Sequence, residues 1–238
     1  MSTPYTVGVV VPAGGRGKRF GGDRPKQFID LDGTPVIIRT LRTALSVPSV
    51  RSVVVAAHPD DHVELASLLQ EHGCVDSRLS IVDGSTERHL SVGRGLSHPS
   101  LDGVDVILIH DAVRPLASAD LFERIAEAAY RLDAVIPGIP VADTLKRIDH
   151  DDTITETIDR STIRRAQTPQ GFRAALIRQV YAASLEQSLS ATDCAALCEG
   201  AGIRVHVIAG EEQNIKVTTP LDLALASVFL QVGSKRNT

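Results

Sequence analysis

The sequence contains no tryptophan, and aromatic residues make up only 3% of its 238 positions. Proteins that bind single-stranded nucleic acid stack bases on aromatic side chains, so this scarcity argues against such a platform. The formal net charge of -4 argues against a broad nucleic-acid-binding face, which needs an excess of Lys and Arg. We therefore expect no nucleic acid partner.

Long apolar runs are missing as well. No stretch approaches the roughly 18 apolar residues of a membrane span, so we expect no membrane partner. The start "MSTPYTVGVVVPAGG" lacks a charged region ahead of its apolar run, which argues against a signal peptide. We also expect no fused downstream enzyme beyond residue 238.

Cysteine is scarce, with three residues, which suits a reducing compartment better than a disulfide framework. We therefore predict a cytoplasmic protein. Cys194 and Cys198 lie four residues apart in a probable helix and are expected to be small core residues on one face. His58 and His62 have the same spacing, but Pro59 and two following acids indicate a solvated helix start rather than a metal site.

Short apolar runs alternate with helical patterns along the chain. Continuous apolar runs, typical of strands covered on both faces of a parallel sheet, occur at 7–11, 52–57, 79–82, 105–110, 134–138 and 204–209. Helical patterns occur at 35–46, 59–73, 118–132 and 220–231. The alternation predicts an α/β fold with a doubly wound, mostly parallel sheet, in a single domain over residues 1–238.

One segment breaks this alternation. Residues 141–161 hold two short period-2 stretches around the polar turn "DHDD", which predicts a protruding β-hairpin arm. An isolated hairpin is marginally stable in water, so the arm, at about 139–163, is expected to pack against a second copy in a homodimer. The polar end 233–238 is expected to fray.

A dense group of cations follows the first predicted strand. In "VVVPAGGRGKRFGGDRPKQF", at 9–28, five basic residues fall between Arg16 and Lys26, among glycines. Ligands of doubly wound folds bind at the carboxyl ends of strands, so we expect a site built from 12–26, 83–91 and 110–115. The charge density indicates a highly charged anion, although Arg16, Lys18 and Arg24 can equally be solvated loop residues.

Three phosphate-binding patterns compete for this loop. A Walker loop requires Ser or Thr after its Gly-Lys pair, but Arg19 follows Lys18 here. The dinucleotide fingerprint requires a third glycine where Phe20 stands. The remaining pattern is a glycine loop whose backbone amides wrap a nucleoside triphosphate, with Arg19 and Lys26 beside the α-phosphorus.

These residues resemble the 2-C-methyl-D-erythritol 4-phosphate cytidylyltransferases of the non-mevalonate isoprenoid pathway. The resemblance runs from about residue 7 to about residue 230, through the ordered motifs "PAGGRGKRFGGDRPKQF", "DGSTERHLSV", "HDAVRP", "VADTLKR", "TIDRSTIRRAQTPQGF", "ATDCAAL" and "NIKVTTPLDL". It implies transfer of CMP from CTP to 2-C-methyl-D-erythritol 4-phosphate, with release of pyrophosphate. It further implies a nucleotide-binding α/β fold, Mg²⁺, and a homodimer formed through the arm.

By position in these motifs, the resemblance implies that Arg19 and Lys26 are transition-state stabilisers. The implied nucleotide-binding residues are Pro12, Ala13, Gly14, Gly15, Gly17, Ser85, Arg88, Ser91, Ala112 and Arg114. The residues implied to position the sugar phosphate are Arg160, Lys216, Thr144 and Thr192, with the arm residues reaching a partner's site.

Asp111 follows the predicted strand at 105–110 and is the predicted Mg²⁺ ligand, because Mg²⁺ needs only one or two protein carboxylates. The alternative is a loop-capping aspartate paired with Arg114. His110, at the end of the strand, is expected to be a packed histidine.

Two positions depart from the pattern of the family. Gly14 stands where the family usually has alanine, and we expect a looser backbone there without loss of binding. Ser85 replaces the usual second glycine, so the contact of its loop with the base need not follow that of the family. Two alternative functions stay open: a cytidylyltransferase for another polyol phosphate such as ribitol 5-phosphate, and a non-catalytic nucleotide sensor on the same fold.

Overall fold

The computed structural model describes residues 4–15, 24–186 and 192–236. Its strands are β1 (Val7–Ala13), β2 (Asp30–Leu31), β3 (Thr34–Pro35), β4 (Val50–Ala57), β5 (Leu79–Asp83), β6 (Val106–Ile109), β7 (Ala134–Pro140), β8 (Leu145–Ile148), β9 (Ile154–Ile158), β10 (Arg164–Ala166), β11 (Gln170–Arg173) and β12 (His206–Ala209). Its helices are α1 (Val36–Ser46), α2 (His62–Glu71), α3 (Arg88–Leu96), α4 (Ala119–Leu132), α5 (Ala174–Glu186), α6 (Cys194–Gly200) and α7 (Pro220–Arg236). Across these ranges no helix combines the length and apolarity needed to cross a membrane.

The central sheet has eight strands in the order β10-β7-β11-β6-β1-β4-β5, and β12 pairs with β7. The pairs of β1 with β4, β1 with β6, and β4 with β5 are parallel. Two short strands run against the others: β11 lies between β6 and β7, and β10 pairs with β7. The predicted α/β fold with a mostly parallel sheet is confirmed, whereas β10 and β11 were not predicted.

Helices cover both faces of the sheet. Val9 and Val11 of β1 pack in one core cluster with residues of α1, α2 and α4. Val10, between them, packs in a second cluster with residues of α3, α5 and α6. All three valines are completely buried, as the continuous apolar run predicted for a strand covered on both sides. The strand that carries the glycine loop is therefore rigidly held.

Coverage is thinner at the margins of the sheet, where two predictions need correction. β5 and β12 were predicted to be covered on both faces, but β5 is only partly buried and Val207 of β12 is 50% exposed. β5 ends the strand order, and β12 pairs with β7 alone among the described strands. The expected frayed tail is also wrong for residues 233–236, which continue α7; residues 237 and 238 lie outside the described ranges.

The hairpin arm is confirmed. β8 and β9 pair antiparallel in a separate two-stranded sheet, with Leu145 opposite Ile158 and Ile148 opposite Ile154. The carboxylate of Asp149 accepts hydrogen bonds from backbone amides in the turn, which closes the hairpin.

The order of the strands indicates where a ligand binds. From β1 the chain proceeds to β4 and β5 on one side, and then returns to place β6 on the other side of β1. Such a reversal leaves a crevice at the carboxyl ends of the two strands that flank it. The glycine loop follows β1 and Asp111 follows β6, so both lie at this crevice.

Candidate active site

A cavity opens at the crevice between β1 and β6. The predicted site residues that line it are Pro12, Ala13, Gly14, Gly15, Lys26, Ser85, Arg88, Ser91, Asp111, Ala112 and Lys216. The three stretches expected to meet, 12–26, 83–91 and 110–115, do so within the described part of the chain. The predictions for Gly17 and Arg19, like the alternative reading of Arg16 and Lys18, fall on residues outside the described ranges.

Asp111 lies at the centre of a cluster of cations. Its Oδ1 accepts a hydrogen bond from Nε of Arg88 at 3.0 Å, and its Oδ2 lies 2.8 Å from Nζ of Lys216. Nε of Arg114 is more distant, at 3.9 Å from Oδ2. Pairing of Asp111 with Arg114 alone therefore does not describe the site, since two closer cations share the carboxylate.

The charges in this cluster stabilise each other. Burial by itself would raise the pKa of Asp111, but the charges of Arg88 and Lys216 outweigh it and hold the pKa far below its usual value. Burial likewise disfavours the charged form of Arg88, and the negative charge of Asp111 outweighs it, so the pKa of Arg88 is raised. One carboxylate thus holds several permanent cations at the cavity wall, and their excess positive charge suits a polyanionic ligand.

A buried histidine fixes the backbone of Asp111. His110 is fully buried, with Nδ1 at 3.0 Å from Oγ1 of Thr168 and Nε2 at 3.2 Å from the carbonyl oxygen of Arg114. Because that carbonyl can only accept, Nε2 carries the proton, and the Thr168 hydroxyl donates to Nδ1 while accepting from the amide of Asp111 at 3.0 Å. Burial lowers the pKa of His110 to about 4, so the ring is neutral, as expected for a packed strand-end histidine.

The loop that carries Lys216 is tied to the same region. Nη1 of Arg114 donates to the carbonyl of Asn214 at 2.7 Å, and Nδ2 of Asn214 donates to the carbonyl of Thr168 at 2.8 Å. The amide of Val217 donates to the carbonyl of Val113 at 2.8 Å. Arg114 does not line the cavity; its guanidinium holds the loop that brings Lys216 to Asp111.

The loop after β5 is held by Ser91. Its hydroxyl accepts from the amide of Ser85 at 2.8 Å and lies 2.9 Å from the carbonyl oxygen of Ser85 and 3.1 Å from that of Glu87. Ser91 is 1% exposed, so its hydroxyl is engaged with this loop. The role predicted for Ser91, a direct contact to the nucleotide, is untested, but the structure gives it a clear part in positioning the loop.

Gly14 makes a closer contact than expected. A Cβ built on it would overlap the carbonyl oxygen of Ser85. The expectation of a looser backbone at Gly14 is therefore wrong, because the missing side chain is replaced by a neighbouring backbone group.

Behind Arg88 lies a buried thiol. Nη1 of Arg88 is 3.5 Å from Sγ of Cys194, and the hydroxyl of Tyr181 is 3.2 Å from the same sulfur. Cys194 and Cys198 are both completely buried and unpaired, which confirms them as small core residues. Burial raises the pKa of Cys194 and raises that of Cys198 to about 12, so both thiols are neutral.

Three predicted substrate-positioning residues do not line this cavity. Thr144 and Arg160 belong to the arm, and Thr192 precedes α6; all three are exposed. Arg160 donates a hydrogen bond to the carbonyl of Ala142, at the base of the arm. Of the predicted substrate-positioning residues, Lys216 alone meets the nucleotide loops within the described part of the chain.

Several further predictions can be judged from the contacts. Arg24 forms an ion pair with Glu64 of α2 at 2.8 Å and does not line the cavity, which favours its reading as a surface residue. His58 accepts a hydrogen bond from the amide of Asp60 and starts the helical turn before α2, as expected, but Asp61 is only 4% exposed, so the expectation of solvated residues is wrong there. Within the described ranges, Asp149, His150 and Asp151 at the exposed arm tip are the group close enough together to hold a metal ion.

Three lining residues were not named individually from the sequence: Gln27, Thr86 and Val113, of which Thr86 and Val113 fall within the expected stretches 83–91 and 110–115. Gln27 is 2% exposed, and its Nε2 donates to the carbonyl of Ala13 at 2.8 Å, which fixes the end of β1. It is the neighbour of Lys26 in the motif "PKQF", and that motif was the available signal.

Comparisons with known proteins agree with this geometry. The model of the IspD family, 2-C-methyl-D-erythritol 4-phosphate cytidylyltransferase, matches residues 7–232. The enzyme of that name from Acidobacterium capsulatum is 39% identical, over 97% of this chain and 99% of the relative, and the one from Synechococcus elongatus is 41% identical, over 94% and 95%. The crystal structure of 4-diphosphocytidyl-2C-methyl-D-erythritol synthase from Anaerococcus prevotii superposes with a TM-score of 0.83 at 32% identity, covering 95% of this chain and 96% of that one. The chain therefore belongs to the IspD family of 2-C-methyl-D-erythritol 4-phosphate cytidylyltransferases.

Proposed function

We propose that this protein transfers CMP from CTP to 2-C-methyl-D-erythritol 4-phosphate, forming 4-diphosphocytidyl-2-C-methyl-D-erythritol and pyrophosphate. The observation that carries the proposal is the group of cations, Lys26, Arg88 and Lys216, around one cavity that is also lined by the backbone of residues 12–15. Such a site suits a triphosphate, because charged side chains and close-approaching backbone can both reach its oxygens.

The reaction needs little covalent chemistry from the protein. An oxygen of the sugar phosphate, already ionised, attacks the α-phosphorus of CTP; a new P–O bond forms as the bond to the β-phosphate oxygen breaks, and pyrophosphate leaves with that electron pair. Catalysis then consists of positioning and of charge stabilisation. Lys26 is proposed to stabilise the negative charge that builds up around the α-phosphorus, together with Arg19.

Asp111 is proposed to hold the cations in place before the nucleotide arrives. Its carboxylate bonds Arg88 and Lys216 from opposite oxygens, at 3.0 and 2.8 Å. A preorganised site stabilises the transition state without rearranging at the moment of reaction. In this role Lys216 would lie between the nucleotide and the sugar phosphate, where it could offset the repulsion between two anions.

Magnesium is proposed as the cofactor. Asp111 is a suitable ligand in chemical terms, because it lines the cavity and is held ionised. Each of its oxygens already bonds a cation, so it can supply at most a minor share of the coordination, and phosphate oxygens and water would supply the rest. When bound, Mg²⁺ would neutralise charge on the triphosphate.

The sugar-phosphate side of the site is proposed to be completed by a second copy of the chain. Thr144 and Arg160 lie on the exposed arm, and Ile148 and Ile154, paired across it, are 52% and 60% exposed. A two-stranded hairpin with exposed apolar residues gains stability when it packs against another surface. In the resulting homodimer, Arg160 would bind the phosphate as a planar fork, while Thr144 and Thr192 would position the sugar.

The buried, unpaired state of Cys74, Cys194 and Cys198 supports a location in the reducing cytoplasm, which we propose as the place of action.

The enzyme is expected to release pyrophosphate only when its own nucleotide and acceptor are both present. A pyrophosphate-release assay should cross CTP, UTP, ATP and GTP with 2-C-methyl-D-erythritol 4-phosphate and ribitol 5-phosphate. Release confined to CTP with the methylerythritol phosphate supports the proposal. Release with ribitol 5-phosphate in place of the methylerythritol phosphate contradicts it. Absence of release with every combination of nucleotide and acceptor also contradicts it.

A further inference from the structure

The two loops that line the nucleotide cavity touch through their backbones at one point. A Cβ built on Gly14 would overlap the carbonyl oxygen of Ser85 and would lie 3.0 Å from both the carbonyl carbon and the nitrogen of that residue. At the next residue, Gly15, a Cβ would have no atom of the described residues within 4 Å. The folded protein therefore leaves no room for a side chain at Gly14, whereas among the described residues nothing crowds a side chain at Gly15.

The loop at Ser85 cannot simply move away from Gly14. On its other side, the amide of Gly84 donates to the carbonyl of Ala57 at 2.5 Å, and a Cβ on Gly84 would lie 2.5 Å from the carbonyl oxygen of Ala56. The carbonyl of Gly84 also accepts from Nη1 of Arg94 at 2.6 Å. The loop is thus held between the end of β4 and the glycine loop.

Ser91 fixes the orientation of the peptide that meets Gly14. Its hydroxyl bonds both the amide and the carbonyl of Ser85, at 2.8 and 2.9 Å. The carbonyl of Ser85 therefore points in one direction, between the Ser91 hydroxyl and the Gly14 backbone. Ser85 carries a Cβ and adopts left-handed conformations only at an energetic cost that glycine does not incur, so this orientation is further restricted.

We propose that Gly14 and Ser85 act as one coupled pair that sets the width of the nucleotide cavity, with Gly14 as a positioning residue. The inference rests on the proposed function and deepens it, since both residues line the cavity proposed for CTP. It also gives one physical reason for the two departures from the family pattern: a serine at 85 fixes a carbonyl in the space that a side chain at 14 would occupy.

The first test replaces Gly14 with alanine. Overpacking against a held backbone carbonyl separates the two loops, so we expect the KM for CTP to rise about tenfold while kcat changes by less than about threefold. The small effect on kcat is expected because Lys26 and Lys216 do not take part in the contact. Gly15→Ala is the matched control in the free protein: its new methyl group meets no atom of the described residues, so its unfolding midpoint in urea should equal that of the wild type.

The second test asks whether the two positions are coupled. Gly14→Ala combined with Ser85→Gly should recover most of the affinity for CTP, because a glycine at 85 can turn its carbonyl away from the new methyl group. Gly14→Ala combined with Ser85→Ala removes the same hydroxyl but keeps a Cβ, so it should recover none. Additive effects of Gly14→Ala and Ser85→Gly, or equal recovery with both second changes, would overturn the proposal.

Two further outcomes separate this inference from the proposed function. If the wild type releases no pyrophosphate from CTP, the proposed function fails. The coupling is then judged from the urea unfolding of four proteins: the wild type, Gly14→Ala, Ser85→Gly and the variant that combines both changes. If the effects of the two single changes on the unfolding equilibrium constant combine to give that of the double variant within about twofold, the coupling is overturned. If Gly14→Ala alone does not fold, the two double variants decide. Soluble protein from Gly14→Ala with Ser85→Gly, but not from Gly14→Ala with Ser85→Ala, supports the coupling. Failure of both double variants to fold overturns it.

Discussion

The nucleotide cavity and the hairpin arm are built in opposite ways. At the cavity, Asp111 is 6% exposed and His110 is completely buried, and both are held by hydrogen bonds from separate parts of the chain. On the arm, Ile148 and Ile154 are more than half exposed, and the arm ion pair of Arg147 with Glu156 lies in solvent, with side chains 62% and 56% exposed. The nucleotide half of the proposed site is held by the folding of one chain, whereas the acceptor half is proposed to depend on association with a second copy.

The sharpest test of this contrast removes a buried charge. Asp111→Asn leaves Arg88, Arg114 and Lys216 without their counter-charge, so we expect a loss of about 3–5 kcal/mol in the free energy of unfolding. Urea denaturation measures it. Glu156→Gln removes a carboxylate from an exposed ion pair on the arm and should change the same quantity by less than about 1 kcal/mol. Equal losses from the two variants would contradict the contrast.

The next effect concerns turnover rather than stability. Lys26→Ala should lower kcat by about 10²–10³-fold, by analogy with the loss of one preorganised donor to a developing charge. The measurement is pyrophosphate release at saturating CTP and sugar phosphate. Arg24→Ala, two residues away, loses only an ion pair with Glu64 and should keep kcat within about twofold. Equal kcat values in the two variants would contradict a catalytic role for Lys26.

A third prediction follows from the buried histidine. Burial lowers the pKa of His110 from 6.5 to about 4, so between these values the unfolded chain binds a proton that the folded protein does not. Stability should therefore fall as the pH falls through this window, by up to about 3 kcal/mol from this group. Urea denaturation at several pH values measures the slope. His110→Gln should flatten it, and an unchanged slope in that variant would assign the effect to other groups.

The smallest effect on the chain itself is expected at the arm. Ile148→Ser together with Ile154→Ser should change the free energy of unfolding of the isolated chain by less than about 0.5 kcal/mol, because both residues are exposed. The same variant should dissociate the proposed dimer and raise the KM for the sugar phosphate, as measured by light scattering and kinetics. Arg147→Ala is the control that changes arm charge without changing its apolar surface. A wild type that is monomeric while fully active would refute the role of the arm.

Sequence reasoning reached the parts of the site that depend on local pattern. β1 and β6 are continuous apolar runs, and residues that follow such strands meet at one edge of a sheet. The strand pattern therefore predicted a common site for the stretches that hold Lys26, Arg88 and Asp111, and the family resemblance singled out the individual residues. Periodicity says nothing of partners in distant segments, so the contact between Lys216 and Asp111 was not anticipated. It depends on bonds such as that of Arg114 to Asn214, which are 100 residues apart.

Other elements were not predicted because their own sequences carry only a weak helix or strand pattern. α3 contains Gly93 and Gly95, which lower helix propensity. A Cβ on Gly95 would lie 2.5 Å from Cγ1 of Val10, so the glycine lets the helix approach β1 closely and tertiary packing overrides propensity. β11 has only four residues, and its place between β6 and β7 is a property of the whole sheet rather than of its own sequence.

The late position of Lys216 has a consequence for biosynthesis. A ribosome delivers the chain from its amino end, so the strands at the centre of the sheet emerge long before this lysine and the loop that carries it. Translation that stops early would yield a protein with a glycine loop and an aspartate but without the cation that lies 2.8 Å from the carboxylate. Because Lys216 is proposed to take part in the reaction, we expect transferase activity only after the chain has been synthesised past this lysine, and chains terminated before it should not transfer CMP.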